Sequence, residues 1–216
     1  MKKAKTIHPW TQIPLPDYEK HMTHETVGQL QLLSQLTKEK LKHYTPHAFA
    51  ILGICGGNGL EHVDNTVTSL VYGVDINADY LRACKERFGR KIPHLKLIEC
   101  DINKKPLPRF DANLVWAALI FEYIDMDKGL SEIHKNLKQN GSLIAIIQKN
   151  NGEVSVSPTG VETIKKASDV FNVVDETLLI EKAKKIGLIE KSRAEHFLPN
   201  GKSFVCIDFL KKEQVV

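Results

Sequence analysis

The sequence predicts an α/β protein, with a seven-stranded, mostly parallel sheet, helices on both faces, a C-terminal antiparallel hairpin and an N-terminal helical cap. Three observations lead there. The stretch Ala48–Asp75, AFAILGICGGNGLEHVDNTVTSLVYGVD, reads as strand, glycine turn, helix, strand and acid. Beyond it, apolar runs of strand length alternate with segments of helical spacing. Near the end, Pro199-Asn200-Gly201-Lys202 separates two more strand-like runs and signals a hairpin, so the last two strands pair antiparallel.

Pro9, Trp10, Pro14 and Pro16 predict an extended arm over residues 1–16. Asp17 is placed to cap a helix beginning at Tyr18. Val27, Leu30, Leu33, Leu36 and Leu41 keep helical spacing as far as Tyr44, with Gly28 positioned to split the segment in two. This segment precedes the first strand, so it is free to lie as a flap over the strand ends. Tyr18, His21 and Met22 share one face of it. His21 and His24 suggest a metal pair, but no third ligand stands nearby, and the expectation is no metal.

Phe49–Ile54 is short enough for a strand buried on both faces. Gly56, Gly57 and Gly59 follow, and glycine lets a turn adopt positive φ and lets a ligand approach the bare backbone. A helix over Leu60–Asn65 would aim free N–H groups at that ligand. Ser69–Val74 is the second strand, and Asp75 at its tip is placed to accept hydrogen bonds from a ribose diol. The unit suits an adenosine-containing cofactor. The same residues also fit a plain βαβ unit whose glycines only permit tight packing.

Asn77 caps a helix over Ala78–Phe88, which Gly89 ends. His94–Glu99 is the third strand, with Cys100, Asp101 and Ile102 just beyond it. Ala112–Ala118 is the fourth, and its tip continues through Leu119, Ile120, Phe121, Glu122 and Tyr123. Asp125 caps Met126–Leu137, and Asn140-Gly141 turns into a fifth strand, Ser142–Ile147. The polar stretch Gln148–Pro158 follows a strand end, which suits either a substrate loop or a disordered one. Asp175–Ile186 is helical and Gly187 terminates it, before the hairpin strands Leu188–Leu198 and Ser203–Leu210.

The 216 residues suffice for one domain, expected as an arm and cap over 1–44 and a core over 45–210. No apolar run approaches the roughly 20 residues of a membrane helix. The N-terminal MKKAKTIHPW is basic without an apolar stretch, unlike a secretory signal. Four scattered cysteines without a C-x-x-C pair argue against a disulfide framework and suit a reducing, cytoplasmic setting. The net charge of +4 is spread in small lysine groups, which reads better as solvated helix faces than as a nucleic-acid surface.

The dinucleotide fingerprint wants a third glycine where His62 stands, so that pattern fails. The turn instead resembles the first motif of class I S-adenosylmethionine-dependent methyltransferases, an acid followed by G-x-G-x-G. Aligned on Gly57 and Gly59, the first glycine is Cys55 and the acid is Gly53, both departures. Asp101 after the third strand, Phe110-Asp111 before the fourth, SEIHKNLKQNGSLIAII and the terminal hairpin resemble the same family. The resemblance covers residues 45–210 and implies a Rossmann-like fold.

It further implies that Gly53, Cys55, Gly56, Gly57, Asn58 and Gly59 pass the methionine part of S-adenosylmethionine, with Ala117 nearby. Asp75 would hold the ribose, Ile76 would pack on adenine, and Asp101 with Ile102 would complete the adenine pocket. The family tetrapeptide that marks methylation of nucleic-acid or protein amino groups is missing after the fourth strand, which favours a small-molecule acceptor. Tyr18, His21, Met22, Phe121 and Tyr123 are the candidate acceptor and lid residues. His21, expected near its ordinary pKa, and Glu122 are the candidate bases. A protein that binds the cofactor without turnover, an RNA or protein methyltransferase, and a nicotinamide oxidoreductase are the rival readings. Oligomeric state stays open between monomer and homodimer.

Overall fold

The computed structural model describes residues 8–212. Seven strands form one sheet: β1 Ala48–Leu52, β2 Leu70–Asp75, β3 Leu95–Glu99, β4 Ala112–Ala118, β5 Leu137–Lys149, β6 Leu188–Phe197 and β7 Ser203–Lys211. Their order is β3-β2-β1-β4-β5-β7-β6. The first five run parallel, and β7 enters antiparallel between β5 and β6. The fold class expected from the sequence is the one observed. Order reverses between β1 and β4, which opens a crevice at the carboxyl ends of those strands.

Five α-helices surround the sheet: α1 Leu15–Met22, α2 Gln29–Tyr44, α3 Ala78–Phe88, α4 Met126–Asn136 and α5 Glu176–Lys185. Strand alternation sorts the core into two layers. Leu114 and Trp116 of β4 pack with Leu33 and Leu36 of α2 and with Leu81 and Cys84 of α3. Val115 and Ala117 face the other way, onto Leu130 and Ile133 of α4 and Leu179 and Ala183 of α5. The caps foreseen at Asn77 and Asp125 are made, and Asp175, read as part of its helix, instead caps it, each side chain accepting a first-turn N–H.

The N-terminal segment departs from expectation. The arm contains a 3₁₀ turn, Pro9–Gln12, and α1 starts at Leu15 rather than Tyr18. Prolines fit the first turn of a helix, where the missing N–H costs nothing, so Pro14 and Pro16 open α1 instead of keeping the chain extended. Asp17 therefore lies inside the helix, where it accepts a hydrogen bond from Thr163 Oγ1 at 2.6 Å. Gly28 does split the segment, with φ +61. The part of the expected arm before His8 lies outside the described residues.

The helix expected over Leu60–Asn65 is reduced to one 3₁₀ turn, Leu60–His62. The Gly59 N–H donates to Glu61 Oε2, and Ser34 of α2 bonds both Glu61 and His62. Leu33 and Leu36 cover Leu60 and Ile51, so α2 supplies the apolar cover that a helix here would have given. A third difference is an unforeseen 3₁₀ segment, Thr163–Val170, which closes the polar stretch and packs against the N-terminal turn. Its Ile164 and Ala167 join Ile13, Leu15, Tyr18 and Met22 in a small core of their own.

Candidate active site

One cavity lies over the carboxyl ends of β1, β2 and β4, with α1 and the 3₁₀ turn Pro9–Gln12 forming its roof. The turn after β1 shapes its floor. Gly53, Cys55, Gly57 and Gly59 take positive φ of +72, +48, +92 and +90. Cys55 thus keeps the left-handed conformation that favours glycine, so the chain path survives the side chain. Gly57 and Gly59 are required by packing. A Cβ at Gly57 would stand 2.7 Å from the Phe88 ring, and one at Gly59 2.8 Å from Thr37.

Asp75 is buried at the tip of β2. Its Oδ2 accepts from the Cys55 N–H at 2.9 Å and its Oδ1 from the Asn77 N–H at 2.9 Å. Burial pushes the carboxyl up to about 6, against the pull of those hydrogen bonds. Asp101, two residues past β3, accepts from the Asn103 N–H and pairs with Lys104 at 2.8 Å. These two are the carboxylates that line the cavity among the described residues.

The roof is aromatic. Trp10 packs edge-on against Tyr18 at 6.0 Å and Tyr123 at 5.0 Å, and Tyr123 meets Phe171 at 5.9 Å. Asn77 Nδ2 donates to the Trp10 carbonyl and the Tyr80 hydroxyl to that of Ile13, so the roof is tied to α3. Glu19 of α1 pairs with Arg87 of α3, and that guanidinium also reaches the Gly56 carbonyl. Burial raises the Tyr18 hydroxyl well above its ordinary range.

The far end is polar. His21 is buried, with Nδ1 2.6 Å from Thr159 Oγ1. Burial, helped by the Lys202 charge, pushes its ring down to about 4, so the near-neutral value expected from sequence is corrected. Lys202, from the β6–β7 turn, donates to the Ser155 carbonyl at 2.8 Å, and burial lowers it to about 8. Gln148 Nε2 donates to Asn150 and Ser155, and Asn200 donates to Ser157.

Of the residues expected at the site, Gly53, Cys55, Asn58, Asp75, Ile76, Asp101 and Ile102 line the cavity, as do Tyr18, His21, Met22 and Tyr123. Gly56, Gly57 and Gly59 shape the turn without lining it. Ala117 is one residue off, because alternation sends it to the α4 face while Trp116 and Ala118 face the cavity. Phe121 is core. Glu122 is fully buried outside the lining. Its Oε1 accepts from the Gln148 N–H at 2.8 Å, its Oε2 has no partner, and burial lifts the carboxyl to about 7.

Sequence reasoning missed Trp10, Tyr80, Leu119, Phe171 and Lys202 as cavity residues, whereas Gln148 opens the stretch it offered as a substrate loop. Leu119 sits at the tip of β4 with φ +53, a strained conformation for a branched side chain at a place where function is expected. No pattern in the sequence marks it. Lys202 stands in a turn signal that gives its backbone and says nothing of its side chain.

Residues 51–145 match the family model described as a methyltransferase domain. No curated protein sequence matches the chain. Among solved structures it resembles the N-methyltransferase NodS from Bradyrhizobium japonicum WM9 in complex with S-adenosyl-L-homocysteine, at 15% identity and TM-score 0.61, covering 97% of this chain and 94% of that one. It also resembles geranyl diphosphate C-methyltransferase from Streptomyces coelicolor A3(2), at 15% identity and TM-score 0.65, covering 86% and 83%. The [4+2]-cyclase SpnF shares the fold too, at 12% identity and TM-score 0.64, covering 83% and 80%. Strand order and the glycine turn agree with these likenesses: residues 51–145 match a methyltransferase domain, and the sheet that contains them has the Rossmann-like fold of the methyltransferase structures it resembles.

Proposed function

We propose that this protein transfers a methyl group from S-adenosylmethionine to a small-molecule acceptor held beneath the N-terminal cap. The cavity is the observation that carries this reading. It runs from Asp75 and Asp101 under Trp10 and Tyr18 to Lys202, so cofactor and acceptor would share one roofed space. A polymer would need an open groove.

The residues fit the cofactor. Asp75 spends one lone pair of each oxygen on a backbone N–H, which leaves a second pair on each for a ribose hydroxyl. Ile76 and Ile102 offer apolar faces to adenine, and Asp101 offers an acceptor to its amine. Gly53, Cys55 and Asn58 would border the methionine part. When bound, that cofactor supplies a methyl group already activated by its sulfonium.

The chain's own task is placement and exclusion of water. Trp10, Tyr18 and Tyr123 put aromatic faces around the reacting centre, where a cation is favoured. His21 is the member of the expected base pair that faces the acceptor space, and burial keeps its ring neutral while weakening it as a base. Glu122 acts at one remove, holding Gln148 through its backbone N–H.

Calorimetric titration with S-adenosylmethionine, beside NAD and an Asp75→Ala control, tests the reading. Binding of the first alone, lost in the variant, supports it. Absence of S-adenosylmethionine binding would remove the enzyme reading and leave the fold. Cys55 and Gly53, standing where the family carries a glycine and an acid, keep a second reading in view: a protein that binds the cofactor without methyl transfer. Tight binding with no labelled methyl passed to any acceptor would favour it.

A further inference from the structure

We propose that the acceptor end of the cavity is a carboxylate subsite built on Lys202, and that the acceptor is a small carboxylic acid with an apolar body. This rests on the methyltransferase reading and names its substrate class. Three lysines with buried or nearly buried side chains show why Lys202 differs. Lys40 pairs with Asp208 at 2.6 Å. Lys211 donates to the carbonyls of His134 and Leu137 at the end of α4, where a cation is favoured. Lys202, only 3% exposed, has the single Ser155 carbonyl and lines the cavity. No carboxylate lies within 4.0 Å of its ammonium among the described residues. A buried ammonium without a contacting counter-ion is costly, and the fold could have left this turn residue in solvent.

The lining neighbours at that end are uncharged, namely neutral His21, Gln148, Ser157 and Asn200, while exposed Glu153 attracts Lys202 from outside the lining without pairing with it. One positive charge in such a place matches one negative charge. A phosphate dianion would leave a surplus buried charge, which disfavours it. Trp10, Tyr123 and Phe171 form the wall between this end and the acids, so the body of the acceptor is apolar or aromatic. Acidic groups at one end and a lone cation at the other also orient such a molecule, carboxylate outward from the cofactor.

The test uses the full chain saturated with S-adenosylhomocysteine and titrated with phenylacetate, phenylacetamide and phenyl phosphate. The expected result is phenylacetate bound about tenfold tighter than the amide. Lys202→Met abolishes that preference and Lys202→Arg keeps it, with S-adenosylhomocysteine affinity of both variants near that of the parent and Lys202→Met melting no lower than the parent. Equal or undetectable binding of acid and amide, persistence of the preference in Lys202→Met, or preference for phenyl phosphate would overturn the subsite. If S-adenosylhomocysteine fails to bind, the methyltransferase reading falls on its own, and the same titration of the unloaded chain still decides the carboxylate preference.

Discussion

The two ends of the cavity both hold charge out of water, and they do it with different means. At the acid end, Asp75 accepts the N–H groups of Asn77, two residues on, and Cys55, twenty residues back across a single β-turn-β unit. At the cationic end, Lys202 reaches a carbonyl 47 residues away, and His21 meets Thr159 across 138 residues. The hydrogen bonds of Asp75 are made by the local chain, while α2 of the cap covers the turn beside it. The cationic end exists only when α1, the loop after β5 and the β6–β7 turn have met. A site assembled from one supersecondary unit is set by its local sequence. One assembled from three distant segments is where substrate choice can vary without disturbing the rest.

The largest way to break the acid end is through its turn. Gly57→Ala adds a methyl against Phe88 at a φ of +92, and should cost roughly 3 kcal/mol of stability. Thermal melting would show the drop, whereas an unchanged melt would mean that the turn is looser than its packing implies. Asp75→Ala comes next, with cofactor affinity down about 100-fold, since two N–H groups and a ribose lose their acceptor together. Ionised Asp75 is the form that accepts from a diol, so cofactor affinity should also climb as pH rises through about 6.

Glu122 sharpens the comparison, because it is a buried acid belonging to neither end. Its folded pKa of about 7 stands above the unfolded value of 4.5. The folded chain therefore keeps a proton that the unfolded chain releases, and stability falls as pH rises from 4.5 toward 7, then levels off. Glu122→Gln should remove that slope and leave the variant more stable at pH 8 by on the order of 2 kcal/mol, with parity near pH 4. Denaturant melts at the two pH values read both numbers, and parallel profiles would show that water reaches the carboxyl.

Trp10→Ala loosens the roof over both ends. Release of S-adenosylhomocysteine should quicken by about tenfold in stopped flow, since an aromatic pair contributes on the order of 1 kcal/mol beyond its burial. The smallest effect is expected at Lys104, whose ammonium is largely in water beside Asp101. Lys104→Ala should change stability by less than about 0.5 kcal/mol. A larger loss would mean that the acid end depends on surface charge.

Much of this could be read along the chain. Short apolar runs bounded by caps and glycines set the strands, and Ala112–Ala118 and Ala78–Phe88 fall where the pattern put them. Asn77 and Asp125 cap because a short polar side chain can reach its own following N–H groups without help from elsewhere. Asp75 and Asp101 were legible for the same reason, since a strand tip fixes where the next residue points. The misreadings have a common origin. Leu60–Asn65 failed as a helix because α2 covers that face of β1, and Ala117 was placed a residue from the wall because a strand tip does not announce which side faces the crevice.

The sequence by itself determined the sheet, its helices and the acid end, because each rests on hydrogen bonds and apolar spacing within one or two neighbouring elements. Only the tertiary structure decided that Trp10 roofs the cavity, that Glu122 lies behind its wall and that Lys202 turns inward onto a carbonyl rather than onto a carboxylate. Those positions follow from packing between segments far apart in the chain, and a side chain's solvent and partners are properties of that packing, invisible in its local sequence.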